Sequence, residues 1–323
     1  MASAGLQPQP DFEPDAGGQF LTFVVPAPSG CNLKCPFCLV RQRREVSDTH
    51  LGPRDFVRFI RQAHKRAPIF AISIQGYEPL ESLPYTQAIL GAARFQGLPA
   101  SFVTNGTKLA TAVDLLGTLT PSKVAVSLDA DSADVHDRIR GVAGAWAAAV
   151  GGIKRAIDAL APRTRIVVSS VLLPSRRRYL DGMPALLREI GVDRWIINPL
   201  LRVGESQSGG PVADRTSLFR DLLILHQTAR REGIRLTVDD EFGHLNHDAL
   251  CVSEPSLRAL HVRTLPQNVE IFRLTPSGQC SVGDDILRQV TPDTPRWQPG
   301  AMHAGDFLEK ISRRTQATRL QIA

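Results

Sequence analysis

The chain has 323 residues, 43% of them hydrophobic, enough for one large α/β domain with a sizeable core. Its 38 Lys and Arg against 32 Asp and Glu give a net charge of +6 without a long basic block, so nucleic-acid binding is not expected. No run approaches the roughly 20 apolar residues of a membrane span, residues 1–19 read as a disordered polar lead-in without signal-peptide character, and five cysteines are too few for a disulfide scaffold, so a cytoplasmic protein without membrane attachment is expected.

Apolar runs of strand length then alternate with stretches of helical period. In chain order the pattern predicts strand 20–25, helix 53–66, strand 69–74, helix 82–96, strand 100–104, helix 110–116, strand 123–128, helix 145–160, strand 165–173, helix 176–190, strand 194–198 and helix 214–232. The cluster Arg176, Arg177 and Arg178 reads as a solvated helix start or as a contact for an anionic substrate. Six β–α pairs in series imply a parallel sheet with right-handed crossovers. A closed eight-stranded barrel takes about 250 residues, whereas these pairs span 20–232, so the expected fold is α/β, an open, partial (β/α)6 TIM barrel. Polar or glycine-bearing turns follow the strands at Ser29-Gly30-Cys31, Gln75-Gly76, Thr104-Asn105-Gly106, Ser127-Leu128-Asp129 and Asn198-Pro199. That is the end at which parallel barrels build their active sites. Past Gly233 the rhythm changes. Segments 269–274 and 279–282 read as a hairpin and 302–318 as a closing helix, so residues 233–323 are expected to form a small C-terminal α+β cap.

Three of the cysteines fall within eight positions, Cys31-Asn32-Leu33-Lys34-Cys35-Pro36-Phe37-Cys38, directly after the first strand. Thiolates at this spacing can converge on three irons of one compact cubane, leaving a fourth iron open to a substrate. A structural zinc knuckle wants a fourth Cys or His at matched spacing, and none is near. Incidental buried thiols are the remaining reading.

CNLKCPFC after a first strand resembles the C-x3-C-x2-C signature of the radical S-adenosylmethionine (radical SAM) superfamily, and further motifs follow in that family's order. Gln75-Gly76-Tyr77-Glu78-Pro79-Leu80 resembles its GGEPL turn, Thr104-Asn105-Gly106 its TNG, and Ser127-Leu128-Asp129 with His136-Asp137-Arg138-Ile139-Arg140-Gly141 its S-L-D and H-D-x-I-R-G run. The resemblance implies a [4Fe-4S] cluster ligated by Cys31, Cys35 and Cys38. It implies SAM bound at its ammonium by Gly76, Tyr77 and Glu78, near Thr104, with Ser127 at the ribose or carboxylate and Arg140 clamping the carboxylate. Phe37 either flanks the adenine or packs under the cluster loop. The implied activity is reductive cleavage of SAM to methionine and a 5′-deoxyadenosyl radical that abstracts hydrogen, fed by an electron donor such as flavodoxin or ferredoxin. Because Glu78 and Arg140 follow strand ends, their replacement is expected to weaken SAM binding more than the fold.

Thr275-Pro276-Ser277-Gly278-Gln279-Cys280 resembles the hairpin that opens the SPASM or twitch extension of such enzymes, yet only Cys251 and Cys280 remain in the tail. It therefore reads as a degenerate, twitch-like cap, although His244, His247 and His261 could complete a mixed metal site with Cys251. A lone thiol opposite the abstracting radical can return a hydrogen atom, since S–H bonds are weaker than most C–H bonds. Cys251, with Cys280 as second candidate, is thus the expected donor of an epimerase. A dehydrogenase or peptide-modifying enzyme is the alternative, and a non-catalytic iron–sulfur regulator is the alternative of another class. The substrate is expected to be a small molecule, such as an aminosugar in natural-product biosynthesis. The short lead-in leaves no room for a leader-peptide domain, and Asp239, Asp240 and Glu241 could meet amino groups.

Overall fold

β1 (Gly18–Val24), β2 (Ile69–Gln75), β3 (Ala100–Thr104), β4 (Lys123–Ser127), β5 (Arg165–Leu172) and β6 (Arg194–Pro199) lie side by side in chain order, each pair parallel. This arrangement comes from a computed structural model that describes residues 18–26, 31–38, 51–173, 176–199, 215–240, 245, 247–264, 269–282 and 294–322. The crossovers carry α1 (Pro53–Arg66), α2 (Leu83–Phe95), α3 (Leu109–Leu119), the pair α4 (Ala133–Arg140) and α5 (Ala145–Leu160), and α6 (Met183–Glu189), while α7 (Arg215–Arg231) follows β6. The sheet stays open, as an α/β partial barrel. The expected lead-in, Ser29 and Gly30 lie outside the described residues, apart from the start of β1.

Local chemistry explains the helix positions. α1 starts at Pro53 with the Gly52 N–H donating to Asp55 at 2.9 Å, and it buries Phe56, Phe59, Ile60 and Ala63 along one stripe. The helix expected over 176–190 is instead a short 3-10 turn, Arg177–Leu180, followed by α6. Pro184 in the first turn of α6 has no N–H to give back to the preceding turn, which stops one helix and starts another. Arg177 of the basic cluster contacts Asp181 and, at 3.1 Å, Asp221 of α7, so its charge is spent inside the fold.

The tail builds on the same sheet. β7 (Arg235–Asp239) and β8 (Val262–Arg263) continue it beyond β6, with α8 (His247–Ser253) in the crossover between them. β9 (Val269–Leu274) returns to lie parallel to β1, and β10 (Cys280–Val282) pairs antiparallel with β9 as the expected hairpin. The closing helix α9 (Ala304–Ile322) starts against α1, where Gln62 accepts the Ala304 N–H at 2.9 Å. Among the described residues no helix is long and apolar enough to cross a membrane.

Strand alternation gives the sheet two different faces. One holds Phe23, Ile74, Phe102, Val126, Val168 and Trp195, all buried under helices; Phe23 meets Phe56 and Phe59 of α1 edge-on at 5.7 and 6.1 Å. The other, the lumen face, mixes polar and apolar side chains. Register aligns Thr22, Ser73, Ser101, Lys123 and Arg165 in one row, Val103, Ala125 and Val167 in the next, and Ser127 with Ser169 in the one beyond. Gln75 donates to Ser73 at 3.3 Å, Arg273 of β9 donates to Gln75 at 3.3 Å, and Asn198 donates to Ser169 at 2.8 Å.

Candidate active site

Residues 31–38 follow the C-terminal end of β1 and present Cys31, Cys35 and Cys38 as free, half-buried thiols, with Leu33 buried beneath. Two neighbouring segments hold this loop. After β3, Asn105 Nδ2 donates to Asn32 Oδ1 at 2.7 Å and lies 3.7 Å from Cys31 Sγ, while Asn32 Nδ2 donates to Thr107 Oγ1 at 2.8 Å. At the end of α4, the Arg140 carbonyl accepts the Lys34 N–H at 2.8 Å and Arg140 Nη1 donates to Cys35 Sγ at 3.7 Å. Gly141 makes that approach possible. It sits at φ 72°, and a Cβ there would come within 3.0 Å of the Lys34 backbone.

Glu78 is fully buried after β2, and its carboxylate binds the next turn. Oε1 accepts from the Leu80 N–H at 3.0 Å and the Thr104 hydroxyl at 2.6 Å, and Oε2 accepts from the Asn105 N–H at 2.7 Å. Burial pushes its pKa up, against the pull of those three donors. Thr104 thus meets Glu78, and the half-buried Tyr77 precedes it. Gly76, at φ 111°, lets the turn lie on β1, since a Cβ would meet Val24 at 2.8 Å.

After β4 the H-D-x-I-R-G run folds as α4, a helix that strand-length and helix-length patterns had not predicted. Ser127 ends β4 on the lumen face. Asp129 Oδ1 accepts the Val171 N–H at 2.9 Å, and Oδ2 lies 2.7 Å from Arg140 Nη2, a contact of opposite charges more than a straight hydrogen bond. The Asp129 N–H donates to His136 Nδ1 at 3.1 Å. Burial, with the Arg140 charge second, lowers His136 to about 4 and keeps its ring neutral. Asp137 accepts the N–H groups of Gly144 and Trp146 at 2.6 and 2.8 Å and so caps α5. Arg140 Cζ stands 5.7 Å from the Phe37 ring centre. Spacing alone did not reveal Asn32, Asp129 or His136, because their roles are contacts between loops.

The tail cysteines stand elsewhere. Cys251 Sγ lies 3.4 Å from His247 Nε2 one helical turn away, and His247 stacks on Phe219 of α7 at 6.3 Å, so this pair packs into the outer helical layer. Cys280 pairs with Leu274, which pairs with Phe23, so its thiol shares their helix-covered face; it is fully buried, and burial pushes its pKa far up. These contacts put neither thiol on the lumen face, so the expectation that one of them returns hydrogen to a substrate there draws no support from their placement. Asp239 pairs with Arg263 at 2.6 Å and Asp240 accepts the Leu245 N–H at 3.0 Å, so both carboxylates are engaged within the fold. His261 contacts Thr237 at 3.1 Å. His244 and Glu241 lie outside the described residues.

The cysteine loop fits a cluster, since a cubane spreads its ligands over three irons. Burial raises the pKa of the Cys31 and Cys35 thiols, and N–H donors oppose that shift, from Leu33 and Asn105 at Cys31 and from Arg140 at Cys35; such contacts favour the thiolate form that a cluster binds. Arg140 Nε is buried without a partner among the described residues, leaving a donor for an anionic group beside the loop.

An open parallel barrel with a three-cysteine loop at the C-terminal end of its first strand defines a cluster-binding α/β protein. Residues 25–177 match the model of the Radical SAM superfamily, a class whose cofactors are a [4Fe-4S] cluster and SAM. The GTP 3′,8-cyclase of Mycolicibacterium smegmatis is 30% identical over 143 residues, 42% of this chain and 40% of that one, and the GTP 3′,8-cyclase of Mycobacterium marinum is 31% identical over 137 residues, 38% of each. The matches thus span less than half the length of these relatives. Streptococcus suis SuiB bound to precursor peptide SuiA shares the fold at a TM-score of 0.66 and 15% identity, covering 89% of this chain and 63% of that one. SuiB bound to S-adenosylmethionine gives 0.64 and 15%, covering 86% and 62%.

Proposed function

We propose that this chain is a radical SAM enzyme that takes a hydrogen atom from a polar small molecule held in its lumen. One observation carries the reading: the cysteine loop, the Glu78 turn, the Asn105 turn and Ser127 all stand at the C-terminal ends of β1 to β4, beside a sheet face lined by Thr22, Ser73, Gln75, Ser169 and Asn198. When bound at Cys31, Cys35 and Cys38, the cluster supplies the electron that splits SAM into methionine and a 5′-deoxyadenosyl radical. The protein binds and orients. By the resemblance, the backbone around Tyr77 with Glu78 would take the SAM ammonium, Ser127 its ribose or carboxylate, and Arg140, whose Nε is buried without a partner among the described residues, its carboxylate; Thr104 fixes the Glu78 turn. An electron donor such as flavodoxin or ferredoxin supplies the reductant. The GTP of the curated relatives is not carried over, because the matches cover too little of those proteins.

The test is anaerobic reconstitution with iron and sulfide, then dithionite and SAM. Wild-type protein should hold a cluster and release 5′-deoxyadenosine, and the Cys31→Ala, Cys35→Ala, Cys38→Ala triple variant should do neither. A wild-type protein that binds its cluster but yields no 5′-deoxyadenosine would favour a non-catalytic iron–sulfur regulator.

A further inference from the structure

We propose that Arg140 sets how readily the cluster accepts its electron, acting through the sulfur of Cys35, with Asp129 as the residue that holds it there. This rests on the reading of Cys31, Cys35 and Cys38 as cluster ligands. The geometry points away from a role confined to SAM. Four contacts of Arg140 go to the cysteine loop: Nη1 to Cys35 Sγ at 3.7 Å, the guanidinium to the Phe37 ring at 5.7 Å, and its carbonyl to the Lys34 N–H at 2.8 Å and to Cys35 Sγ at 4.0 Å. A further contact, Nη2 to Asp129 Oδ2 at 2.7 Å, fixes the fork from behind. Asp129 is itself immobilised between the Val171 N–H and His136 Nδ1, and Arg140 is only 8% exposed. The side chain therefore has one available orientation, and in that orientation it donates to a ligand sulfur.

A charge-assisted N–H on a thiolate ligand favours the more negative, reduced state of the cluster, so it raises the reduction potential. The Asp129 carboxylate offsets much of the charge of the guanidinium. What remains is the directed donor of a fixed planar fork, which the flexible ammonium of a lysine does not reproduce even though it carries N–H groups and keeps the positive charge. Reduction adds one electron, taken from dithionite in the test, and no bond forms or breaks.

The experiment is an EPR-monitored redox titration of reconstituted protein without SAM, comparing wild type, Arg140→Lys and Arg140→Gln, with iron and sulfide counted first. Both variants should keep about four irons per chain and titrate at a more negative midpoint, the uncharged Gln variant more so. Should Arg140→Lys fail to fold, Arg140→Gln is read alone. A wild-type midpoint in every variant that keeps its cluster overturns the proposal and leaves Arg140 to act on SAM. Loss of iron from both variants also overturns it, by making Arg140 a structural support. Failure of the wild type to hold iron at all is a separate result, and it removes the cluster reading itself.

Discussion

Asn105 and Asn32, 73 positions apart in sequence, share a 2.7 Å hydrogen bond that fastens the turn after β3 to the cysteine loop. The same Asn105 gives its backbone N–H to Glu78, so one residue joins three strand ends. Asn105→Ala removes the side-chain tie and spares the backbone one. The variant also loses the bonds that Asn105 Oδ1 accepts from the Thr107 N–H and hydroxyl; at about 1 kcal/mol net per bond, melting should fall by several degrees, while iron is lost faster during a chelator challenge. Unchanged iron release would refute this bracing role.

Gly141 and Gly144 offer a matched pair. Both lie in the left-handed region, at φ 72° and 82°, so alanine at either costs about 1–2 kcal/mol in backbone strain. They differ in what a Cβ would touch: the Lys34 backbone at 3.0 Å for Gly141 and open space for Gly144. Gly141→Ala should therefore lose both stability and cluster retention, and Gly144→Ala stability alone. Equal iron-to-protein ratios in the two variants would show that the cysteine loop does not depend on that close approach.

How much of this was legible depended on whether the signal was local. α1 could be read because Pro53 starts it and Phe56, Phe59, Ile60 and Ala63 recur on one face. The ligand loop and the Glu78 and TNG turns could be placed because each directly follows an apolar strand. α4 escaped, since its short run buries only His136, Ile139 and Arg140 and offers no apolar stripe. The fate of Cys280 escaped as well, because strand register decides which face a side chain takes, and a one-residue shift reverses it. At Glu78 the strand-end position predicts tolerance to change, whereas the buried carboxylate meets N–H donors on both oxygens. Glu78→Gln would turn an amide N–H against one of them, at a cost of about 1–3 kcal/mol, so it should depress melting as well as SAM cleavage.

His136 gives the fold a defined pH response. Its Nδ1 accepts the Asp129 N–H and so must be unprotonated in the native state, with a pKa of about 4. In the unfolded chain a histidine titrates near 6.5. As pH falls from about 6.5 to 4, the unfolded chain takes up a proton that the native one refuses, so stability drops, by about 3 kcal/mol at most. His136→Asn keeps an acceptor and removes the titration. Denaturant midpoints at pH 7.5 and 5 should diverge in wild type by more than in the variant; parallel shifts would refute a neutral, buried imidazole.

The two faces of the sheet can be read out through the cysteines themselves. Cys31, Cys35 and Cys38 are partly exposed, whereas Cys280 is fully buried on the helix-covered side and Cys251 is packed beside His247 and Phe219. Thiolate formation and access together control alkylation; burial raises the Cys280 pKa strongly with nothing to oppose it, whereas at Cys31 and Cys35 N–H donors counter the rise that burial causes. Iron-free native protein should therefore lose three thiols quickly to a maleimide and the remaining two only in denaturant, with peptide mapping assigning the fast set to residues 31–38. Restoring the cluster should protect those three. If Cys280 instead reacted as fast as Cys38 in the native protein, β10 would be facing the other way, and a hydrogen-donating thiol in the lumen would again have to be considered.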